Sequence, residues 1–140
     1  MRVAALDLGK VRIGLAISDE LGLMAHPRPA IQAADRKAAL LALSRIANEE
    51  NIDLFLIGLP LDRYGQVGPA ARRAQVFADQ LAQATGRKTE LFDERLSTVE
   101  AARRLREGGT SSRRARDRID SASACVLLQA WLDGHAEDRR

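Results

Sequence analysis

Residues 53–60, Asp-Leu-Phe-Leu-Ile-Gly-Leu-Pro, form a short, nearly continuous apolar run with no alternation of polar and apolar positions. Such a run reads as a central strand covered on both faces, so its sheet needs a layer on each side. The flanking segments look able to supply cover. Before the run, residues 36–50 carry Ala39, Leu40, Leu43, Ile46 and Ala47 on one helical stripe. After it, residues 69–85 carry Ala70, Ala74, Phe77, Ala78 and Leu81, and Gly86 is placed to end that helix. Strands entered through helices suit parallel pairing.

The start of the chain has a different rhythm. Over residues 3–8, Val3, Ala5 and Asp7 fall on one face and Ala4, Leu6 and Leu8 on the other. Residues 12–18 repeat the pattern, with Ile13, Leu15 and Ile17 opposed to Gly14, Ala16 and Ser18. Gly9 allows the turn of a hairpin between them. Residues 24–32 hold Pro27 and Pro29, which push an irregular third strand to a sheet edge. Thr89-Glu-Leu-Phe-Asp93 is a further short strand. Ser97-Thr-Val-Glu100 is a capping box that opens a helix reaching to residue 107, where Gly108 and Gly109 break it. A last helix over residues 114–133 is expected to turn Ile119, Ala122, Val126, Leu127 and Ala130 inward. The tail after Gly134 is charged and expected to fray. The fold class predicted is α/β, a mixed five-stranded sheet with helices on both faces, forming one domain over residues 1–140.

Composition narrows the function. Aromatic residues make up 4% of the chain, so the core must come from Leu, Ile, Val and Ala. That scarcity argues against nucleic-acid binding by aromatic stacking platforms. The single cysteine, Cys125, excludes an intramolecular disulfide framework and reads as a small buried hydrophobe. No N-terminal signal-type segment and no apolar run of ~18 residues is present, so a cytoplasmic protein without a membrane partner is expected. His26 and His135 lack partners at metal-ligand spacing. No Walker A or dinucleotide fingerprint occurs.

Three acids stand at element boundaries. Asp7 occupies a strand position where an apolar residue is the default; a turn, a metal ion or a phosphate-bearing substrate would each account for it. Glu94 follows the last strand, and Asp120 lies at the margin of the last helix's apolar stripe. Three carboxylates from distant segments, meeting at one end of a sheet, would make a site for Mg²⁺ or Mn²⁺, which take hard oxygen ligands. Two such ions about 4 Å apart could activate water and stabilise the leaving oxygen in phosphodiester hydrolysis. Each acid also has a plain structural account: a turn for Asp7, the neighbouring Arg95 for Glu94, and Arg116 one turn earlier for Asp120. Asp93 and Glu94 would point opposite ways on an extended segment, so only one can face a metal. Asp117 could add a ligand or pair with Arg113.

The net charge is +3, but the cations are unevenly placed. Arg103, Arg104, Arg106, Arg113, Arg114, Arg116 and Arg118 crowd one region, opposed only by Glu107 and Asp117. A small, polar and mobile segment at 108–112 would make this an arginine-rich clamp for a phosphate backbone.

Four blocks, in order, resemble the YqgF/RuvX family. They are Leu6-Asp7-Leu8-Gly9-Lys10-Val11-Arg12-Ile13-Gly14-Leu15-Ala16-Ile17-Ser18-Asp19; Gly58-Leu59-Pro60-Leu61 with Gly65 and Gly68; Asp93-Glu94-Arg95-Leu96-Ser97-Thr98; and Ile119-Asp120-Ser121-Ala122. The resemblance covers nearly the whole chain and implies a ribonuclease H-like fold. It implies that Asp7, Glu94 and Asp120 are the catalytic, metal-holding acids of a Mg²⁺- or Mn²⁺-dependent nuclease. The implied activity is processing of the 5′ end of the 16S rRNA precursor, with Holliday junction resolution as a related possibility. On that reading Lys10, Arg12, Arg95, Arg104, Arg113, Arg114 and Arg116 would bind nucleic acid. RNA is the favoured partner, structured DNA the alternative, and the chain is a monomer or homodimer. Ser123, Arg116 and Arg118 are mild departures from the family pattern, and Asp117 stands where a basic residue is usual. Two other readings compete. An actin-like ATPase would need two such lobes where 140 residues supply one. A non-catalytic RNA-binding assembly factor would use the basic face alone.

Overall fold

The two period-two segments at the start of the chain fold as β1 (Val3–Leu8) and β2 (Arg12–Ser18). They pair antiparallel, with Asp7 opposite Gly14. The hairpin closes through the Gly9 amide, which donates to the carbonyl of Arg12 at 3.0 Å. Gly9 is required there by space: a Cβ would lie 2.5 Å from the Arg12 oxygen. β3 (Ala25–Gln32) continues the meander and, with its prolines, forms one edge of the sheet. The computed structural model describes residues 1–96 and 113–135, with side chains of the last helix described from Ser121 onward. The helix expected from the capping box at Ser97, the segment at 108–112 and the tail beyond His135 lie outside these residues.

Helix α1 (Arg36–Glu49) is started by Asp35, whose carboxylate accepts from the Ala38 amide at 3.1 Å. β4 (Leu54–Leu59) follows and pairs parallel to β1. Helix α2 (Pro69–Thr85) begins on a proline and ends at Gly86, whose φ of 70° is left-handed. β5 (Lys88–Asp93) adds parallel to β4, and a short 3₁₀ turn, Glu94–Leu96, leaves the sheet. The strand order is β3-β2-β1-β4-β5, a mixed five-stranded sheet as the sequence predicts. Helix α3 (Arg113–Gly134) completes the described elements.

Strand alternation sorts the core into two layers. Ala4, Leu6, Ile13, Leu15, Phe55 and Ile57 meet α1 and α2 on one face. Val3, Ala5, Ala16, Leu54 and Leu56 meet α3 on the other. The continuous apolar run at 53–60 is therefore a strand with helices on both sides. Two details differ from the sequence reading. On α2 the buried residue in the first turn is Ala71, and Ala70 is exposed. On α3 the side chains buried against the sheet include Ala124, Leu127, Leu128, Trp131 and Leu132, while Ala122, Val126 and Ala130 are only partly buried. Residues 121–132 are small or apolar almost all round, so periodicity alone did not fix which stripe packs. Cys125 is half-buried; desolvation raises its thiol pKa, in keeping with a packing role.

Candidate active site

The alternation that turns Val3 and Ala5 toward α3 carries Asp7 to the same face, where it is fully buried. The parallel register ends with Leu6 opposite Ile57, so the next step along both strands sets Asp7 beside Gly58. Gly58 in turn is paired with Phe92, and Leu59 with Asp93. The chain leaves β5 just past this point in the 3₁₀ turn, and Glu94 folds back over β4. A Cβ at position 58 would lie 3.1 Å from Glu94 Cδ and 3.2 Å from Cγ, with Oε1 closer still. Glu94 is 8% exposed. Two buried carboxylates thus share one corner, on the C-terminal ends of parallel strands, because the strand between them has no side chain at position 58.

Asp93 and Glu94 have separate tasks. Asp93 holds Arg95: the guanidinium donates through Nε at 3.0 and 3.1 Å and through Nη2 at 2.7 Å. These hydrogen bonds, with the Arg95 charge, hold the Asp93 carboxyl below its ordinary value despite partial burial. Arg95 therefore pairs with Asp93, leaving Glu94 as the buried member of the pair. The Arg95 guanidinium also lies over Gly65, with Nη1 3.0 Å from where a Cβ would stand. Lys10 is exposed at the hairpin tip, and Arg12 is partly exposed at the start of β2.

The side chain of Asp120 lies outside the described residues, as do those of Arg113, Arg114 and Arg116, although their backbone belongs to α3. Arg104 lies in the segment outside them altogether. The next residue after Asp120 is anchored. Ser121 is buried, its Oγ accepts from the Leu15 amide at 3.3 Å, and it donates to the carbonyl of Arg28. This is where the β2–β3 register slips between Ile13 and Leu15, so the hydroxyl meets backbone groups beside an irregular stretch of ladder. Leu15 is next to Gly14, the partner of Asp7. Ser121 thus fixes the backbone at position 120 toward the end of the sheet that bears Asp7.

Among the described residues, no group of three His, Cys, Asp or Glu side chains is placed to hold a metal ion. The acids present nevertheless suit one. Both are buried, both offer hard oxygens, and Gly58 leaves a cradle that a Cβ would fill. The roles of Gly58 and Ser121 are absent from the sequence reading, although a lone glycine inside an apolar strand signals a close approach. Ser121 gives no such signal. His135, expected to be incidental, stacks on Trp131 with ring centroids 4.0 Å apart.

The family described as "RuvX: Holliday junction resolvase" matches residues 1–134. A relative from an Anaeromyxobacter species, named "Putative pre-16S rRNA nuclease", is 47% identical over 96% of this chain and 98% of its own length. One of the same name from Myxococcus xanthus is 46% identical over 96% of this chain and 89% of its own. Among solved structures, Thermus thermophilus RuvC in complex with a Holliday junction substrate aligns with a TM-score of 0.57 and 14% identity, covering 97% of this chain and 96% of that one. The fowlpox virus Holliday junction resolvase aligns with a TM-score of 0.53 and 11% identity, covering 96% and 99%. At these identities the structural likeness speaks for a shared ribonuclease H-like fold.

Proposed function

The chain belongs to the RuvX family, and from that premise we propose that it is a divalent-metal-dependent nuclease that processes the 5′ end of the 16S rRNA precursor. The observation that carries the reading is the seating of the Glu94 carboxylate over Gly58 beside Asp7. It gathers acids 87 residues apart in sequence (94 minus 7) at one strand end, in a donor set made only of oxygen.

Asp7 and Glu94, with Asp120, would hold Mg²⁺ or Mn²⁺, which would supply charge for the phosphate oxygens and acidify an attacking water. The remaining residues bind and orient. Lys10 and Arg12 flank the hairpin next to Asp7 and meet the phosphate backbone. Arg95 is braced by Asp93, so its guanidinium is presented in a fixed direction at little entropic cost. On the same reading Arg113, Arg114 and Arg116 would bind nucleic acid. Burial of Asp7 and Glu94 keeps bulk water from their inner oxygens, which strengthens their hold on a cation.

The test is cleavage of a transcript carrying the 5′ leader of 16S rRNA. The wild-type protein cuts it in Mg²⁺ or Mn²⁺ and stops on chelation. Asp7→Asn and Glu94→Gln each lose at least ~100-fold in rate, the scale of removing one charge-stabilising element from a transition state. Full activity of Asp7→Asn in Mn²⁺ would overturn the reading. Cutting of a four-way DNA junction with the RNA left intact would replace the substrate.

A further inference from the structure

The corner of Asp7 and Glu94 has a counterpart on the other side of the same strand ends. Leu8, opposite in parity to Asp7, faces the α1–α2 layer and lines a cavity of about 310 Å³ there. The volume lies at the lower end of the range for ligand pockets. Gly58 belongs to both places. Glu94 lies against one of its sides, and the cavity opens at the other. Only the thickness of one strand separates the acids from the cavity.

The lining is apolar within and cationic at the rim. Ile13, Ala33, Ala74 and Phe77 form the wall, and Lys10, Arg36 and Arg73 supply charge. Among the described residues no Asp or Glu lines it, and neither Lys10 nor Arg73 has an ion-pair partner. Arg36 is held in place by Gln80, 2.9 Å from Nη1, and by the Phe77 ring, 5.7 Å from its Cζ. The first turn of α2, which carries no acid and no side-chain cap, also lies at this end of the sheet and adds its positive dipole end, whereas that of α1 is capped by Asp35. Three cations and no carboxylate among the described lining residues, around an apolar recess, match an anion joined to a flat apolar body.

We propose that this cavity receives one unpaired nucleotide of the nucleic-acid strand, with its phosphate on Lys10 and Arg73 and its base against the apolar wall. The inference rests on the nuclease reading for the identity of the strand, but not on the roles given to Asp7 and Glu94. A strand crossing the sheet end would place one phosphate by the acids and seat a flanking nucleotide across Gly58. The occupant has to be unpaired, because a paired base stays within its stack and does not enter a separate recess.

Binding without cleavage tests it. Fluorescence anisotropy of a labelled, unstructured RNA is measured in chelator for the wild type, Arg73→Glu and Ala70→Trp. Position 70 lines the cavity yet is exposed, so the indole fills space without disturbing the core. Ala70→Trp raises Kd roughly tenfold, about the value of one seated base, and Arg73→Glu raises it by at least as much through the lost phosphate contact. Arg72→Glu, one residue along the same helix and outside the lining, has a clearly smaller effect. Adenosine 5′-monophosphate competes weakly with the RNA. Unchanged affinity in both cavity variants, with native far-ultraviolet spectra, overturns the proposal. So does tight binding of the free nucleotide that leaves RNA binding unaffected, since the cavity would then serve a soluble ligand. If Asp7→Asn cleaves normally while Ala70→Trp still weakens RNA binding, the catalytic reading fails and this one stands.

Discussion

The Glu94 carboxylate occupies the volume that any side chain at position 58 would need, so Gly58 and Glu94 are a matched pair. The match is steric, because the backbone of Gly58 lies within an ordinary strand and its φ is not in the left-handed region.

Gly58→Ala is therefore expected to damage activity more than stability. The new methyl must push a buried carboxylate aside, and displacement of a reacting group by about 1 Å can cost on the order of a hundredfold in rate. Alanine also favours a strand slightly over glycine, which offsets part of the packing cost. Cleavage rate and thermal midpoint, measured on the same sample, check this. A fall in midpoint with unchanged activity would contradict it.

Gly86→Ala should do the reverse. Nothing lies within 4 Å of a Cβ there, but φ is +70°. The left-handed conformation costs a non-glycine residue about 1–2 kcal/mol. Urea denaturation should show a loss of that size, and cleavage at a temperature well below the midpoint should be unaffected.

Ser121→Ala removes the hydroxyl shared by the Leu15 amide and the Arg28 carbonyl. Leaving buried backbone groups without this partner costs about 1–3 kcal/mol. Because Ser121 adjoins Asp120, the rate should fall together with stability. Denaturation curves and cleavage assays on Ser121→Ala and Ser121→Thr separate loss of the hydroxyl from a change of shape.

Asp93 carries a pH signature. Its folded pKa is depressed by Arg95, so the unfolded chain binds its proton more readily than the folded one. The contribution to stability is present above the ordinary value of 3.8 and is lost as pH falls through the lower folded pKa. Carbon-detected NMR titration should place the Asp93 midpoint below 3.8, and Arg95→Ala should bring it back toward that value. A midpoint that ignores Arg95→Ala would refute the pairing.

Much of the architecture was legible because different elements have different periods. Alternation at 3–8 and 12–18 foretold the hairpin, and the prolines at 27 and 29 foretold the edge. The uninterrupted apolar run at 53–60 required cover on both faces, and received it. Asp7 was legible as an acid at a strand position where an apolar residue is usual, and Glu94 as an acid at the boundary after the last strand. The buried stripe of α3 was less so: residues 121–132 offer small or apolar side chains in nearly every direction, and only the sheet's shape selects Ala124, Leu128 and Trp131. Ser121 was invisible for a similar reason. Its partners are backbone groups exposed by a register slip in a different part of the chain, and no local pattern announces them.

The pairing of Val3 with Leu54 joins positions 51 apart (54 minus 3). While the chain is being made, β1, β2 and β3 can meet early, but β1 keeps a bare edge until β4 emerges from the ribosome. Glu94 arrives later still, after β5. The acid corner therefore cannot form until synthesis has passed residue 94, after all five strands of the sheet have been made.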